Sequence, residues 1–542
     1  MTITLAIGVQ AMSQRNAIIR RLPAVETLGS VTVICSDKTG TLTRNEMNAS
    51  QVITAEKTFE VEGTGYGPNG NVYLNGEPVL SNDEPILQEI GTVALLCNDA
   101  ELYEEAHGYE LQGDPTEGAL LALGGRIGLD RRLLKETKTR LDSIPFESEH
   151  RFMATLEHDH HGSSLILVKG APEKIYEMCD SQWVNGKSEP IDRQFWQQKQ
   201  DEAAEHGLRV LALARRAVGT EQQTLEFSDM ESGFVLLGLV GISDPPRAEA
   251  IESVRLSHQA GVRVIMITGD HAATARAIGR QLGIGENNKV ITGAEVETLD
   301  EAQLIEAVAD CDIFARASPE HKLRLVKALQ ARGEIVAMTG DGVNDAPALK
   351  RADVGVAMGQ KGTEAAKEAS EMVLADDNFA SITHAVEEGR TVYDNLRKSI
   401  VFILPTNGGQ AGVIIAAILL GLTLPILPAQ ILWVNMVTAI TLALALAFER
   451  PESGVMQRPP RDPKEPLLNR FLIWRTVFVS ILLVIGSLSM FMWMQARGVE
   501  EEVARTVAVN ALVFGEIFYL FNCRYLRRSV LSKEGLLSLI HI

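Results

Sequence analysis

Ser36-Asp37-Lys38-Thr39-Gly40-Thr41-Leu42-Thr43 follows directly on Val31–35 (VTVIC), a short run of β-branched and apolar residues. A run of this kind, closed by a turn rich in Gly and Thr, reads as a strand buried on both faces. The arrangement recurs. Residues 262–267 (VRVIMI) lead into Thr268-Gly269-Asp270, residues 334–338 (EIVAM) into Thr339-Gly340-Asp341-Gly342-Val343-Asn344-Asp345, and residues 354–358 (VGVAM) follow Asp353. Helical patterns over 272–282 and 319–330 separate these strands. Strands alternating with helices predict an α/β, doubly wound parallel sheet. Ligands in such sheets bind beyond the carboxyl ends of the strands, where Asp37, Asp270, Asp341 and Asp345 fall.

Carboxylates gathered at one sheet edge repel one another unless a divalent cation lies among them, and Mg²⁺ takes one or two carboxylates together with phosphate oxygens. The clustering therefore points to metal-assisted phosphoryl transfer, with Asp37 as nucleophile and Lys322 neutralising the transferring phosphoryl. Neither GxxxxGK[ST] nor GxGxxG stands at a strand-to-helix turn. Two positions after Asp37 stands Thr39, where many phosphatases of this sheet class carry a second Asp. Thr39 cannot protonate a leaving group or activate water, so a phosphorylated Asp37 is expected to hydrolyse slowly.

The 542 residues predict three or four domains at roughly 150 residues each. A formal charge of -19 argues against a nucleic-acid-coating protein, and no nucleic-acid partner is expected. Five widely spaced cysteines without a CxxC pair read as reduced buried thiols. Mean hydropathy is near neutral at +0.04, but the apolar residues are unevenly spread. Residues 399–422 and 424–448 carry no charge, and 471–494 carries only Arg475. A weaker stretch, 503–523, holds Arg505 and Glu516. Each is long enough to cross about 30 Å of hydrocarbon. Four transmembrane helices and a lipid-bilayer partner are expected. Arg450, Arg458, Arg461, Lys464 and Arg470 between the second and third, and Arg524, Arg527 and Arg528 after the fourth, place those connections and the soluble head on the cytoplasmic side of a plasma or inner membrane.

Polar residues within the spans suggest a cation path. Pro405-Thr406-Asn407-Gly408-Gly409-Gln410 is expected to interrupt the first span and free backbone carbonyls. Asn435 and Thr438 fall mid-membrane in the second, and Glu516 is the acid near the centre of the fourth. In the soluble part, Phe146 in Ile144-Pro145-Phe146-Glu147 offers a ring for stacking on adenine, and Lys169-Gly170 a cation and a bare backbone. Glu157-His158-Asp159-His160-His161-Gly162 reads as an exposed hairpin turn.

DKTGTLT (37–43), KGAPE (169–173), DPPR (244–247), TGD (268–270) and TGDGVNDAPALK (339–350) together resemble the P-type cation-transporting ATPases, in particular the calcium and sodium/potassium pumps. The resemblance covers essentially the whole chain. It implies ATP-driven cation transport through an aspartyl phosphate on Asp37, in a phosphorylation domain of the haloacid-dehalogenase-like class. It divides the chain into a helix end and stalk (1–22), two parts of that domain (23–45 and 244–398) around an inserted α+β nucleotide-binding domain (46–243), an all-α transmembrane bundle (399–528) and an uncertain tail (529–542). It implies ATP as substrate and Mg²⁺ held by Asp37, Asp341 and the carbonyl of Thr39. Lys38, Thr39, Thr268, Gly269, Asp270, Lys322, Asn344 and Asp345 complete the catalytic set, and Glu117, Phe146, Lys169, Gly170 and Arg209 contact ATP. Calcium pumps carry acids where this chain has Gln410 and Ala439, which leaves Ca²⁺ and monovalent Na⁺ or K⁺ both open as the transported inorganic cation. The resemblance also implies a fragment, lacking the actuator domain and the first helices and able to bind ATP without completing transport. A membrane-tethered phosphatase of the same sheet class is the reading from another class; Thr39 argues against it.

Overall fold

The computed structural model describes residues 2–526 except 64, 81–82, 106–107, 148, 160–161, 463–465 and 467. His160, His161, Lys464, Arg527, Arg528 and the 529–542 tail lie outside the described residues, and Ala439 is described by its backbone alone.

Four strands centre the first sheet: β1 (Val33–Asp37), β2 (Arg263–Ile267), β3 (Val336–Gly340) and β4 (Val354–Met358). The eight-stranded order runs Ala17–Ile19, Met372–Leu374, β4, β3, β1, β2, Ile313–Ala315, Val290–Thr292. All pairings are parallel except that of Ala17–Ile19 with Met372–Leu374. Alternation along the strands buries both faces. Ile34, Val264, Met266, Ala337 and Val356 pack into one core, and Val33, Cys35, Ile265, Ile267, Met338 and Ala357 into the other. This is the pattern expected of a parallel sheet clad in helices. Helix α1 (Pro319–Ala331) lies on the second face, its N-terminus capped by Ser318 Oγ accepting from His321 N.

β1 and β3 begin and end two residues later than their apolar runs predict, so Asp37 is the last residue of its strand. Thr32 N donates to Ile335 O at 3.0 Å before the ladder begins, and Asp37 N donates to Thr339 Oγ1 at 2.9 Å at its end. The chain then turns sharply over Lys38–Leu42, with Gly40 at φ +77°, a conformation costly for any residue bearing a Cβ.

Strands from Asn48–Ile53 to Phe234–Ser243 form a separate, largely antiparallel eleven-stranded sheet. The chain enters and leaves it through a narrow crossing. Thr43 bridges Pro246, Arg44 N donates to Pro245 O at 3.2 Å, and Arg247 N donates to Leu42 O at 2.9 Å. The hairpin predicted over 157–162 starts later than expected. Register pairing from Phe152↔Gly170 to His158↔Ser164 keeps Glu157 inside its strand, 2% exposed, with Arg140 Nε 3.6 Å away. Burial pushes the Glu157 carboxyl above the ordinary range.

Among the described residues, three helices are long and apolar enough to cross a membrane: α2 (Phe379–Leu419), α4 (Arg470–Ala496) and α5 (Glu501–Cys523). The second predicted span is instead three consecutive pieces: α3 (Pro428–Val437), a π turn over Thr438–Leu442, and a short helix Ala443–Ala447. Pro425 and Pro428 prevent a helix from starting at Leu424, because each lacks an N–H and restricts the residue before it.

The expected interruption at Pro405 does not occur; α2 runs through it for 41 residues. Pro405 has no N–H to offer the carbonyl four residues back, on Val401. The Tyr519 hydroxyl, from α5, donates to that carbonyl at 2.9 Å instead. Gly408 and Gly409 do not loosen the helix but admit α4. A Cβ on Gly408 would lie 2.5 Å from Ser480 Oγ, and one on Gly409 would lie 2.9 Å from Leu483 Cβ. Close approach through small residues is a common way for helices to associate in lipid. Tyr519→Phe leaves the Val401 carbonyl orphaned and is expected to destabilise the bundle by about 1 kcal/mol, measurable by thermal unfolding in detergent.

Candidate active site

The ends of β1, β2 and β3 and the start of α1 converge on one sheet edge. Lys322, on the first turn of α1, is 7% exposed and bridges two carboxylates. Its Nζ donates to Asp37 Oδ2 at 2.7 Å and to Asp345 Oδ1 at 2.9 Å. Burial opposes the ammonium charge, but Asp37 and Asp345 more than offset it and hold Lys322 above its ordinary value. The other Asp345 oxygen accepts from Asp341 N at 3.3 Å and Gly342 N at 3.2 Å. With both oxygens engaged, Asp345 shapes the turn after β3 and orients Lys322.

Among the described residues, Asp37, Asp341 and Asp345 form the cluster of acids close enough to share a cation, each with an oxygen within 4.8 Å of the others'. Burial, reinforced by the charges of Asp37 and Asp345, holds the Asp341 carboxyl above the ordinary range. A hard divalent cation would relieve that repulsion, so the donor set fits Mg²⁺. Asp37 Oδ1 receives only a 3.4 Å bond from Thr39 N and is the less engaged of its two oxygens.

Lys38 turns away from Asp37. Its Nζ lies 2.6 Å from Asp270 Oδ2 and 3.8 Å from Asp244 Oδ2, tying the loop after β1 to the loop after β2. Thr268 Oγ1 accepts from Asp270 N at 3.1 Å, and open space surrounds Gly269. Asn344 is exposed on the short turn Val343–Asp345.

Asp244 and Arg247 stand in the DPPR run, which by itself gives them no role. Asp244 is buried and accepts from Thr43 Oγ1 and from Glu46 N. Arg247 donates to Thr43 O at 3.0 Å and Gly40 O at 3.2 Å. Together they fasten both crossings between the two sheets to the loop that follows Asp37. Thr339 was likewise missed as the hydroxyl partner of the Asp37 backbone. Side-chain partners 201 or 302 residues apart leave no periodic trace in a sequence.

On the second sheet, Lys169 Nζ pairs with Glu117 Oε1 at 2.6 Å, the Glu standing in the first turn of the helix Pro115–Arg126. Gly170 ends its strand against Phe152, with no room for a Cβ. Phe146 is exposed just beyond the strand Lys138–Ile144, and Arg209 is exposed at the start of the strand Arg209–Val218. Among the described residues, neither Phe146 nor Arg209 bonds to the Lys169–Glu117 pair.

In the helical bundle, Gln410 Nε2 donates to Glu516 Oε1 at 2.9 Å. Both residues are almost wholly buried, and Gln410 Oε1 and Glu516 Oε2 have no partner within hydrogen-bond distance among the described residues. Thr438, at the head of the π turn, is buried beside Glu516. A π turn displaces the helical ladder at a polar residue and often marks a functional position. Asn435 is half-buried and Asn407 exposed, so the structure draws together three of the five polar residues singled out in the spans.

The comparisons with known proteins agree with this geometry. Residues 322–386 match the family described as haloacid dehalogenase-like hydrolase, residues 87–249 P-type ATPase, cytoplasmic domain N, and residues 423–540 cation transporting ATPase, C-terminus. The chain is 49% identical over 539 residues to the cation-transporting ATPase pma1 of Synechocystis, covering 98% of this chain and 59% of that protein. It belongs to the P-type cation-transporting ATPases. To the calcium-transporting ATPase of Bacillus subtilis it is 40% identical over 540 residues, covering 98% of this chain and 60% of that protein. To the bovine calcium-transporting ATPase type 2C member 1 it is 39% identical over 538 residues, covering 98% and 54%. The chain thus spans about three fifths of the length of the first of these P-type ATPases. With three helices able to cross a bilayer, it is an integral membrane protein.

Proposed function

We propose that the protein represented by this chain drives a small cation across a membrane with ATP, through a phosphate ester formed on Asp37. The observation that carries this reading is the Lys322 bridge between Asp37 and Asp345 at the carboxyl edge of the sheet, with Asp341 alongside. Asp37 Oδ1, the freer oxygen, attacks the γ-phosphorus; the bond from phosphorus to the β,γ-bridging oxygen breaks and ADP leaves. Lys322 neutralises charge on the transferring group. Mg²⁺, when bound, supplies further charge neutralisation on the phosphate oxygens, with Asp37, Asp341 and the Thr39 carbonyl as the groups that would hold it. Thr39 provides no acid or base two positions on, so the ester persists until another part of the protein acts on it.

Residues 46–243 are read as the nucleotide-binding unit, with Lys169 and Gly170 facing phosphate, Phe146 stacking on the base, and Arg209 and Glu117 completing the pocket. The domain N match over 87–249 supports this. The transported ion is read as passing by Gln410, Thr438 and Glu516, with Asn407 and Asn435 on the same path. The relatives named as calcium-transporting favour Ca²⁺. One observation favours a monovalent ion as the second reading: Glu516 is the single acid in the apolar stretches 399–422, 424–448, 471–494 and 503–523, set against an amide rather than a second carboxylate.

The test is incubation of the protein with γ-phosphate-labelled ATP and Mg²⁺ across Ca²⁺, Na⁺ and K⁺, with an acid quench. An acid-stable, hydroxylamine-labile label that depends on one cation is expected. No such label under any cation, in a preparation that binds ATP, overturns the reading. Glu516→Gln is expected to raise the cation concentration needed for half-maximal labelling by about tenfold or more, since a charge-assisted ligand is lost.

A further inference from the structure

The structure assigns an anion site to the base of the stalk, distinct from the phosphoryl-transfer edge: a cavity of 210 Å³ that would take a phosphate group. Four arginines, Arg390, Arg397, Arg458 and Arg461, line it against two aspartates, Asp394 and Asp462. The walls come from α2, from the connection preceding α4, and from Gly29.

What marks it as built for a ligand is the state of the guanidinium donors. Arg390 is only 3% exposed; its terminal nitrogens donate to Val455 O, Arg458 O and Ala260 O, which fixes the side chain, while Nε is buried without a partner. Arg461 is held by Glu26 at 3.1 Å and lies over the Tyr393 ring at 3.9 Å, again with a buried, unpartnered Nε. Arg397 has a third such Nε and forms no hydrogen bond or ion pair among the described residues. Of the four, Arg458 is the one paired across the cavity, with Asp394.

Four guanidinium groups thus face two aspartates around one small polar cavity, and Arg397 has no hydrogen-bond or ion-pair partner among the described residues. Water filling the cavity leaves that excess of positive charge uncompensated. A phosphate group supplies the missing charge, and guanidinium forks match its oxygens in geometry. Placement narrows the source. Arg397 and Arg390 precede the uncharged stretch beginning at Ser399 by two and nine residues, or roughly 3–14 Å along the helix at 1.5 Å per residue. That is the level of lipid headgroups, so the phosphate belongs either to an anionic lipid or to a free phosphate in solution.

The test uses the full chain, purified in detergent free of anionic lipid. One arm titrates inorganic phosphate; the other adds phosphatidylglycerol or phosphatidylcholine vesicles; both read the unfolding midpoint and the lipid retained on repurification by mass spectrometry. Phosphate or phosphatidylglycerol is expected to raise the midpoint, phosphatidylcholine not. In Arg397→Gln the affinity is expected to fall roughly ten- to hundredfold. A response in both arms identifies a phosphate site open to solution, and a response to phosphatidylglycerol alone identifies a headgroup site. Should Arg397→Gln fail to fold, Arg397→Lys, which keeps the charge but loses the fork, is expected to bind several-fold more weakly. Equal responses of wild type and the folded Arg397 variant in both arms would overturn the assignment.

Discussion

Asp37→Asn is expected to abolish the acid-stable label from γ-phosphate-labelled ATP, to below one part in a thousand of the wild-type level, while the protein stays folded. The loss follows from chemistry: an amide oxygen is a far poorer nucleophile than a carboxylate, and Asp345, the other carboxylate held by Lys322, has both of its oxygens engaged. Folding is spared because the substitution has two opposed effects. Lys322 loses one of its two anions, and the crowding of Asp341 by neighbouring carboxylates is relieved. Within about 1 kcal/mol these offset, so the unfolding midpoint is expected to move by no more than a few degrees. Label surviving in a folded Asp37→Asn protein would move the nucleophile elsewhere.

The second large effect belongs to Lys322→Ala. Phosphorylation is expected to slow by roughly two to three orders of magnitude, the usual cost of removing one preorganised charge donor from a phosphoryl or acyl transfer site. Unlike Asp37→Asn, it is also expected to destabilise the fold, by about 3 kcal/mol. It leaves the Asp345 carboxylate, whose side chain is 6% exposed, facing Asp37 with no cation between them. Quench-flow rates of label formation, set beside thermal unfolding, separate the two consequences. The remaining label should still reside on Asp37.

The parallel sheet and its reactive edge were legible because strands buried on both faces write themselves as apolar runs, and the DKTGT and TGDGVND runs fix the turns after them. Strand ends were less so: Asp37 belongs to β1 because it pairs with Ile267 of β2, a partner that local sequence does not contain. The membrane bundle was read correctly where length and hydropathy decide, in α2, α4 and α5. It was misread at Pro405, because the remedy for a missing N–H came from Tyr519, more than a hundred residues away. Gly408 and Gly409 carried the wrong implication for the same reason; their meaning lies in the helix they admit. The arginine cavity left no motif at all, since its walls come from separate segments and its significance is the absence of partners.

Helix α2 joins these two worlds without a break. Phe379, fully buried against the core of the first sheet, and Gln410, buried beside Glu516, stand on the same rod. They are separated by about 46 Å at 1.5 Å per residue. A stiff member of that length works as a lever. A tilt of only about 5° imposed where it meets the sheet would sweep the Gln410 end through about 4 Å, more than the span of a single coordination bond. Tyr519 grips the same rod at the Val401 carbonyl, about two and a half turns before Gln410, and so ties the far end of the lever to α5 beside the polar pocket.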